Sequence, residues 1–348
     1  MKRLLALVLL LGAFLAWALL TPFQGFPADT FVEIPRGTGT AGIAQELARQ
    51  GVIRYPWQFW LARLTRPGAK LQAGEYRFSK AANAREVFGR IARGDIYFFE
   101  FTVPEGSNIF DIAKSLEAQA VMKQDDFLRA AEDPALIRDL APRSKTLEGF
   151  LFPSTYRLTH TTTAADLCKM MTSEFRRQWA KLSAGQGAGQ SAGPGAADLR
   201  RTVTLASLVE KETAAPEERP LIASVFVNRL HINMKLDCDP TTIYAALLDN
   251  RYRGVIHQSD LVNTNPYNTY RNAGLPPGPI ANPGARALAA ALHPAETKYL
   301  YFVAKPAGGA HQFSASIAEH EKAVIAYRQA QNRTNRHAAP HATQRKIR

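Results

Sequence analysis

The sequence predicts an α+β protein: one N-terminal transmembrane helix, a small α/β module, then a larger mixed α+β domain. Three observations predict it. Leu4 to Leu20 is an uncharged, almost wholly apolar run. A strand–turn–helix pattern occurs twice, about 69 residues apart. Beyond the second copy, helix-period segments alternate with stretches rich in Pro, Gly and Asn.

The apolar run comes first. Its 17 residues fall at the short end of the roughly 17–25 that span a bilayer. Lys2 and Arg3 precede it, and the next charged residue is Asp29. That asymmetry places residues 1–3 in the cytoplasm and the body of the chain outside. A cleaved signal peptide is the rival, because Ala16-Trp17-Ala18 has a small-x-small pattern. Bulky Trp17 and the continuing Leu19-Leu20 favour an uncleaved anchor over 4–20. Thr21 to Thr30 carries two prolines and a glycine and reads as a linker.

The body is 348 residues less this anchor, enough for about two domains. Hydrophobic residues at 46% and charged residues at 21% exclude wholesale disorder. Lys+Arg 43 against Asp+Glu 30 gives +13, which points to an acidic partner: anionic lipid, nucleic acid or a wall polymer. Export argues against nucleic acid. Solvated surface charge and a basic tail are the plain alternative. Cys168 and Cys238 are too few for a disulfide scaffold or a four-thiolate zinc site.

The repeat organises the next region. Val32-Glu33-Ile34-Pro35-Arg36-Gly37-Thr38 is echoed by Phe101-Thr102-Val103-Pro104-Glu105-Gly106-Ser107. Ile43-Ala44 and Leu47 are echoed by Ile112-Ala113 and Leu116. Each copy reads as a strand ending at Pro-x-Gly, a Thr or Ser that caps a helix, and the helix. Between the copies, Gly74 to Phe78 alternates like a strand, Ala84 to Ala92 reads as a helix, and Tyr97 to Val103 as another strand. The pattern resembles the start of a LysM-like wall-binding module, here residues 31–100. A plain packing unit is the alternative. Residues 183–198 are rich in Gly, Ala, Ser and Gln and read as a flexible insertion within a domain spanning 101–330. Residues 331–348 read as a disordered basic tail.

Four downstream segments hold the candidate chemistry. They are Leu147-Glu148-Gly149-Phe150-Leu151-Phe152-Pro153, Ala206 to Thr213, Val225 to Thr241, and Asn265 to Gly284. The second reads as a helix. At 100° per residue, Leu199, Val203, Ala206 and Glu210 share a line, and Glu212 falls between Leu205 and Leu208. Thr204, Ser207 and Lys211 face away. Both glutamates therefore sit on an apolar arc, where burial resists ionisation and suits a general acid. A structural carboxylate paired with an arginine such as Arg229 is the alternative, and periodicity does not choose between Glu210 and Glu212. The fourth segment is too rich in Pro, Gly and Asn for a helix or strand. Its Tyr and Asn residues suit the lining of a glycan groove, and a rigid turn-rich loop is the alternative.

Other chemistries fit less well. Ser207 and Lys211 are four apart, one more than a Ser-x-x-Lys site needs. Asp237-Cys238-Asp239 near His231 lacks the His pair or second thiol of a metal site. No phosphate-binding glycine loop is present. His311 borders the groove in this reading, and His320 is a surface or hydrogen-bonding residue.

Taken in order, the motifs Glu148-Gly149-Phe150-Leu151-Phe152-Pro153, Val209-Glu210-Lys211-Glu212-Thr213, Asp239-Pro240-Thr241, Tyr267-Asn268-Thr269-Tyr270 and Gly274 to Ile280 resemble the YceG-like family of endolytic murein transglycosylases. Leu300-Tyr301-Phe302-Val303 and His311-Gln312-Phe313-Ser314 add to the likeness, which reaches from the anchor to about Ala330. The resemblance implies a single-pass inner-membrane protein whose periplasmic catalytic domain cleaves nascent peptidoglycan between N-acetylmuramic acid and N-acetylglucosamine, leaving 1,6-anhydro ends. It implies peptidoglycan strands and wall synthases (penicillin-binding proteins) as partners, no nucleic acid and no cofactor. It places the catalytic acid at Glu210. Glu148, Tyr267, Asn268, Tyr270 and His311 are the candidates to hold substrate. A hydrolytic muramidase and a non-enzymatic wall-binding scaffold are the alternatives.

Overall fold

Lys2–Leu20 forms α1, a helix of 19 residues that is long and apolar enough to cross a membrane. Most of its leucines are exposed, and Ala18 near its end is buried. This computed structural model describes residues 1–184, 199–305 and 310–338. The chain divides into two units, 1–100 with 157–161, and 101–156 with 162–348.

In the first unit, β1 (Thr30–Ile34) leads into α2 (Thr40–Arg49) and α3 (Pro56–Leu64), and β2 (Gly74–Phe78) returns antiparallel to β1. Thr30 pairs with Phe78 and Ile34 with Gly74. This register turns Val32, Ile34, Tyr76 and Phe78 inward, as strand alternation requires. They meet Ile43 and Leu47 of α2, Phe59 of α3, and Val87, Phe88 and Ile91 of α4 (Ala84–Arg93) in one core. An Asn83–Glu86 capping box starts α4, and Gly94 in the left-handed region ends it.

The chain leaves this unit within β3 (Phe99–Thr102), which continues to α5 (Ile109–Ala118) and α6 (Gln124–Ala131). A two-stranded sheet joins β3 to β4 (Thr155–Leu158). The helices α7 (Ala164–Ser183), α8 (Leu199–Glu212), α9 (Arg219–His231), α10 (Asp239–Leu248), α11 (Gln258–Leu261) and α12 (Ala285–Leu292) follow. A hairpin of β5 (Tyr301–Ala304) and β6 (His311–Ser314) precedes α13 (Ile317–Ala338). The predicted mixed α+β class and N-terminal apolar helix are both present.

At the centre of the second unit, α8 packs against α9, α10 and α12. Its residues Thr202 to Val209 are buried on every side. Thr204 and Ser207, expected to face away, are therefore buried too. The surrounding helices leave no outer face, and backbone carbonyls satisfy both hydroxyls: Thr204 donates to Arg200 O at 2.7 Å and Ser207 to Thr204 O at 2.7 Å.

Both copies of the repeat form the same strand–turn–helix. Gly37 (φ +85°) and Gly106 (φ +76°) each occupy the left-handed region that favours glycine. Thr38 and Ser107 do not cap the helices as the sequence suggested. Each hydroxyl instead closes the turn on the proline carbonyl, at 2.8 Å in both copies. The N-caps are Gly39 and Asn108, one residue further on, and Asn108 makes a capping box with Asp111.

Apart from Ser183 and Ala184, the 183–198 insertion lies outside the described residues. Residues 331–338, read from sequence as tail, are the last turns of α13, and 339–348 lie outside the described residues. The helix runs on because the stretch lacks Pro and Gly until Pro340, so charge alone does not stop it.

Candidate active site

The last turn of α8 carries Glu210 and Glu212. Glu210 is held from two sides. Arg219 at the start of α9 donates to its Oε1 at 2.6 Å, and Gly284 N, at the N-cap of α12, donates to Oε2 at 2.8 Å. The Glu210 and Arg219 side chains are only 4% and 6% exposed. Glu105, from the turn of the second repeat copy, lies 3.5 Å from the same guanidinium. Burial pushes the Glu210 carboxyl above the usual carboxylate range, and the Glu105 charge adds to this. The Gly284 N–H and Arg219 pull in the opposite direction and do not cancel it.

The arginine paired with Glu210 is thus Arg219, not Arg229. Arg229 lies 3.8 Å from Asp237 and spends its donors on the carbonyls of Leu300, Lys235 and Leu236. It sits ten residues, nearly three turns, further along α9 than Arg219 at the N-terminus of that helix. Arg219 Nε and Nη1 have no hydrogen-bond partner among the described residues.

Backbone close to Glu210 is fitted to small residues. A Cβ on Gly284 would lie 1.9 Å from Glu105 Oε1, so only glycine admits Glu105 there. A Cβ on Gly106 would lie 3.5 Å from Glu210 Cγ, which puts the turn directly against the acid. Lys211 reaches back to Gly106 O at 3.2 Å.

Asn282 joins this cluster to the Glu148-Gly149 motif. Its Oδ1 accepts from Gly149 N at 2.8 Å and Leu151 N at 2.9 Å. Its Nδ2 donates to Ser107 O and Glu148 Oε1, both at 2.9 Å. Its own N–H donates to Ser107 O, and its carbonyl accepts from Gly106 N, each at 3.0 Å. Glu148 is buried among Ile109 N and the Tyr244 hydroxyl, each 3.0 Å from Oε2. Burial drives its carboxyl up to about 8 despite these donors.

Glu212 is half-buried and accepts from Cys238 Sγ at 3.0 Å. Burial raises its carboxyl, and raises the Cys238 thiol well above normal. Glu212 also lines a cavity of about 360 Å³ with Arg229, Asp237, Asp239 and Tyr270. Glu210 is absent from that lining.

The substrate candidates separate. Tyr267 lines a second cavity, of about 370 Å³, with Glu148 and Tyr244, and burial pushes its hydroxyl up to about 12. Tyr270 lines the Glu212 cavity and donates to Asp239 at 2.6 Å. Asn268 is fully buried, and its amide is used up within its own loop, on the carbonyls of Asp260, Leu261 and Asn263. His311 is held by Glu218, which accepts from its backbone N–H and contacts Nδ1, both at 2.6 Å. His320 is not a hydrogen-bonding surface group: it stacks on Tyr301 at 5.1 Å, and its buried Nδ1 has no partner among the described residues. Among the described residues, no group of three or more His, Cys, Asp and Glu is placed to hold a metal ion.

In this mixed α+β chain the buried helix α8 thus ends in a carboxylate braced by an arginine and a helix N-cap. The chain belongs to the YceG-like family, whose model matches residues 32–326. It is 32% identical over 339 residues to the endolytic murein transglycosylase of Bacillus subtilis (strain 168), covering 92% of this chain and 91% of that one. It is 28% identical over 323 residues to the endolytic murein transglycosylase of Streptococcus pneumoniae strain D39, of which the match covers 57%. A crystal structure of a yceG-like protein from Listeria monocytogenes superposes with a TM-score of 0.54 at 31% identity, over 84% of this chain and 98% of that one.

Proposed function

We propose that the chain is an endolytic murein transglycosylase and that Glu210 is its catalytic acid. The observation that carries this reading is the buried Glu210 carboxyl, raised by burial and braced by Arg219 and Gly284 N–H, within the 32–326 stretch that matches the family. In the proposed reaction Glu210 donates its proton to the glycosidic oxygen as the bond from muramic acid C1 breaks. Arg219 and Gly284 N–H are placed to stabilise the carboxylate that remains. That carboxylate then takes the proton of the muramic acid C6 hydroxyl, whose oxygen bonds to C1. The product is a 1,6-anhydro end, no water is consumed, and the acid is regenerated. A single carboxyl group suffices, unlike the pair a hydrolytic glycosidase uses.

The apolar α1 supports membrane anchoring with the rest of the chain in the periplasm. The β1–α2–α3–β2 order, entered through Pro35-Arg36-Gly37, supports a LysM-like role in wall binding for the first unit. A second reading puts the acid at Glu212, favoured by the cavity it lines with Asp239 and Tyr270. Turnover of purified glycan strands separates the two. Glu210→Gln is expected to lower the rate by roughly 10²–10⁴-fold, the usual worth of a general acid, with Glu212→Gln retaining the larger share. The reverse order moves the acid to Glu212.

A further inference from the structure

The helix α3 is apolar on two opposite faces. Gln58, Phe59 and Ala62 face the core of the first unit. Trp57, Trp60 and Leu64 share the other face and are 40%, 46% and 74% exposed. Spacings of three and four residues put these three within one narrow arc. Tyr55, also exposed, stacks near Trp57 at 6.3 Å.

This face is continuous with the apolar surface of α1. Trp57 lies over Phe14, with ring centroids 6.0 Å apart, and Gln58 Nε2 donates to Ala18 O at 2.8 Å. These contacts fix the depth of α3 along α1. Phe14 stands six residues before the end of the helix at Leu20, which is about 9 Å at the helical rise of about 1.5 Å per residue. A bilayer spanned by α1 therefore meets Trp57 roughly 5–10 Å below its surface, the level at which interfacial helices lie. Charge agrees. Between Glu46 and Glu75 the chain carries Arg49, Arg54, Arg63, Arg66 and Lys70 and no acidic residue.

We infer that α3 is a second membrane contact, an interfacial helix whose Trp57, Trp60 and Leu64 enter a lipid surface bearing anionic headgroups. This rests on the reading of α1 as an uncleaved anchor. Trp and Tyr suit the interface because their rings are amphipathic. The cations around them suit the phosphates. The consequence is that the first unit is held against the bilayer at a fixed height, not swung freely on the 21–30 linker.

The test uses the full chain in phosphatidylcholine vesicles containing phosphatidylglycerol and lipids brominated at chosen depths. Of the four tryptophans, Trp17 and Trp179 are replaced (Trp17→Phe, Trp179→Phe), leaving Trp57 and Trp60 as reporters. Flotation is read on the same samples. The expected result is a protein that floats with the vesicles, with emission lost to bromines near the glycerol and less to those near the chain ends. Flotation with no bromine quenching, and emission quenched instead by aqueous acrylamide, leaves the anchor standing and overturns the α3 contact. Failure to float overturns the anchor and this inference with it. In a separate sample, Trp17→Phe/Trp57→Phe/Trp60→Phe with Trp179 kept controls the assignment, and retained shallow quenching there would overturn it too.

Discussion

The two copies of the repeat share a backbone and differ in what stands on it. In the first, a Cβ on Gly37 would meet nothing within 4 Å, and Gly37 is exposed where Gly106 is buried. In the second, Gly106 lies against Glu210, Glu105 approaches Arg219, and Ser107 O takes two hydrogen bonds from Asn282. Glu105 stands where the first copy has Arg36. One local solution to reversing a strand into a helix thus serves as a plain surface turn once and as a wall of the candidate site once. Local sequence sets the turn, and the long-range partners set its use.

The contrast breaks most sharply at Asn282. Asn282→Ala strips partners from two backbone N–H groups and from Glu148 Oε1 at once, while Ser107 O keeps the backbone N–H of residue 282. Each buried polar group left unpaired costs about 1–3 kcal/mol, so chemical denaturation should show a loss of several kcal/mol. The first copy has no counterpart to lose. A change below about 1 kcal/mol would mean that the network is not closed as described.

Glu148 gives the next effect. It accepts from Ile109 N at the first turn of α5, whereas α2 has no side-chain cap. Burial lifts its folded carboxyl to about 8 from an ordinary 4.5, so the folded state holds its proton more tightly than the unfolded state. Its contribution is complete below about 4.5 and is lost as pH rises through about 8, at up to ~1.4 kcal/mol per pH unit. Glu148→Gln, which cannot ionise, should flatten stability measured between pH 5 and 8. An unchanged pH slope would show that Glu148 is ionised in the folded state.

The smallest effect sharpens the comparison best. Gly37→Ala and Gly106→Ala each force a side chain into the left-handed region, at roughly 1–2 kcal/mol. Melting should move alike in both. Only Gly106→Ala should also lower turnover, because its new methyl touches Glu210. Equal turnover in the two variants would detach the second turn from the acid.

Much of this was legible in the sequence because it is local. Alternation marks Gly74 to Phe78 as a strand, whose Tyr76 and Phe78 are buried, and helical period placed Glu210 and Glu212 on an apolar arc. Neither could name Arg219, which reaches Glu210 through the turn between α8 and α9, nor Gly284 and Asn282, which arrive from more than 70 residues on. The mismatch of Glu105 with Arg36 within an otherwise faithful repeat was the available signal. Asn268 shows the opposite failure. Composition suggested an open groove, but a loop so rich in prolines and glycines has few regular backbone hydrogen bonds, and the Asn268 side chain supplies them internally.

The most direct test of the central claim is mass spectrometry of peptidoglycan strands after digestion by the full chain and by its Glu210→Gln variant. Glu210 acting through transglycosylation predicts 1,6-anhydro muramic ends from the native chain, each lighter by one water than a reducing end, and none from the variant. Reducing ends from the native chain, or anhydro ends undiminished in the variant, would contradict it.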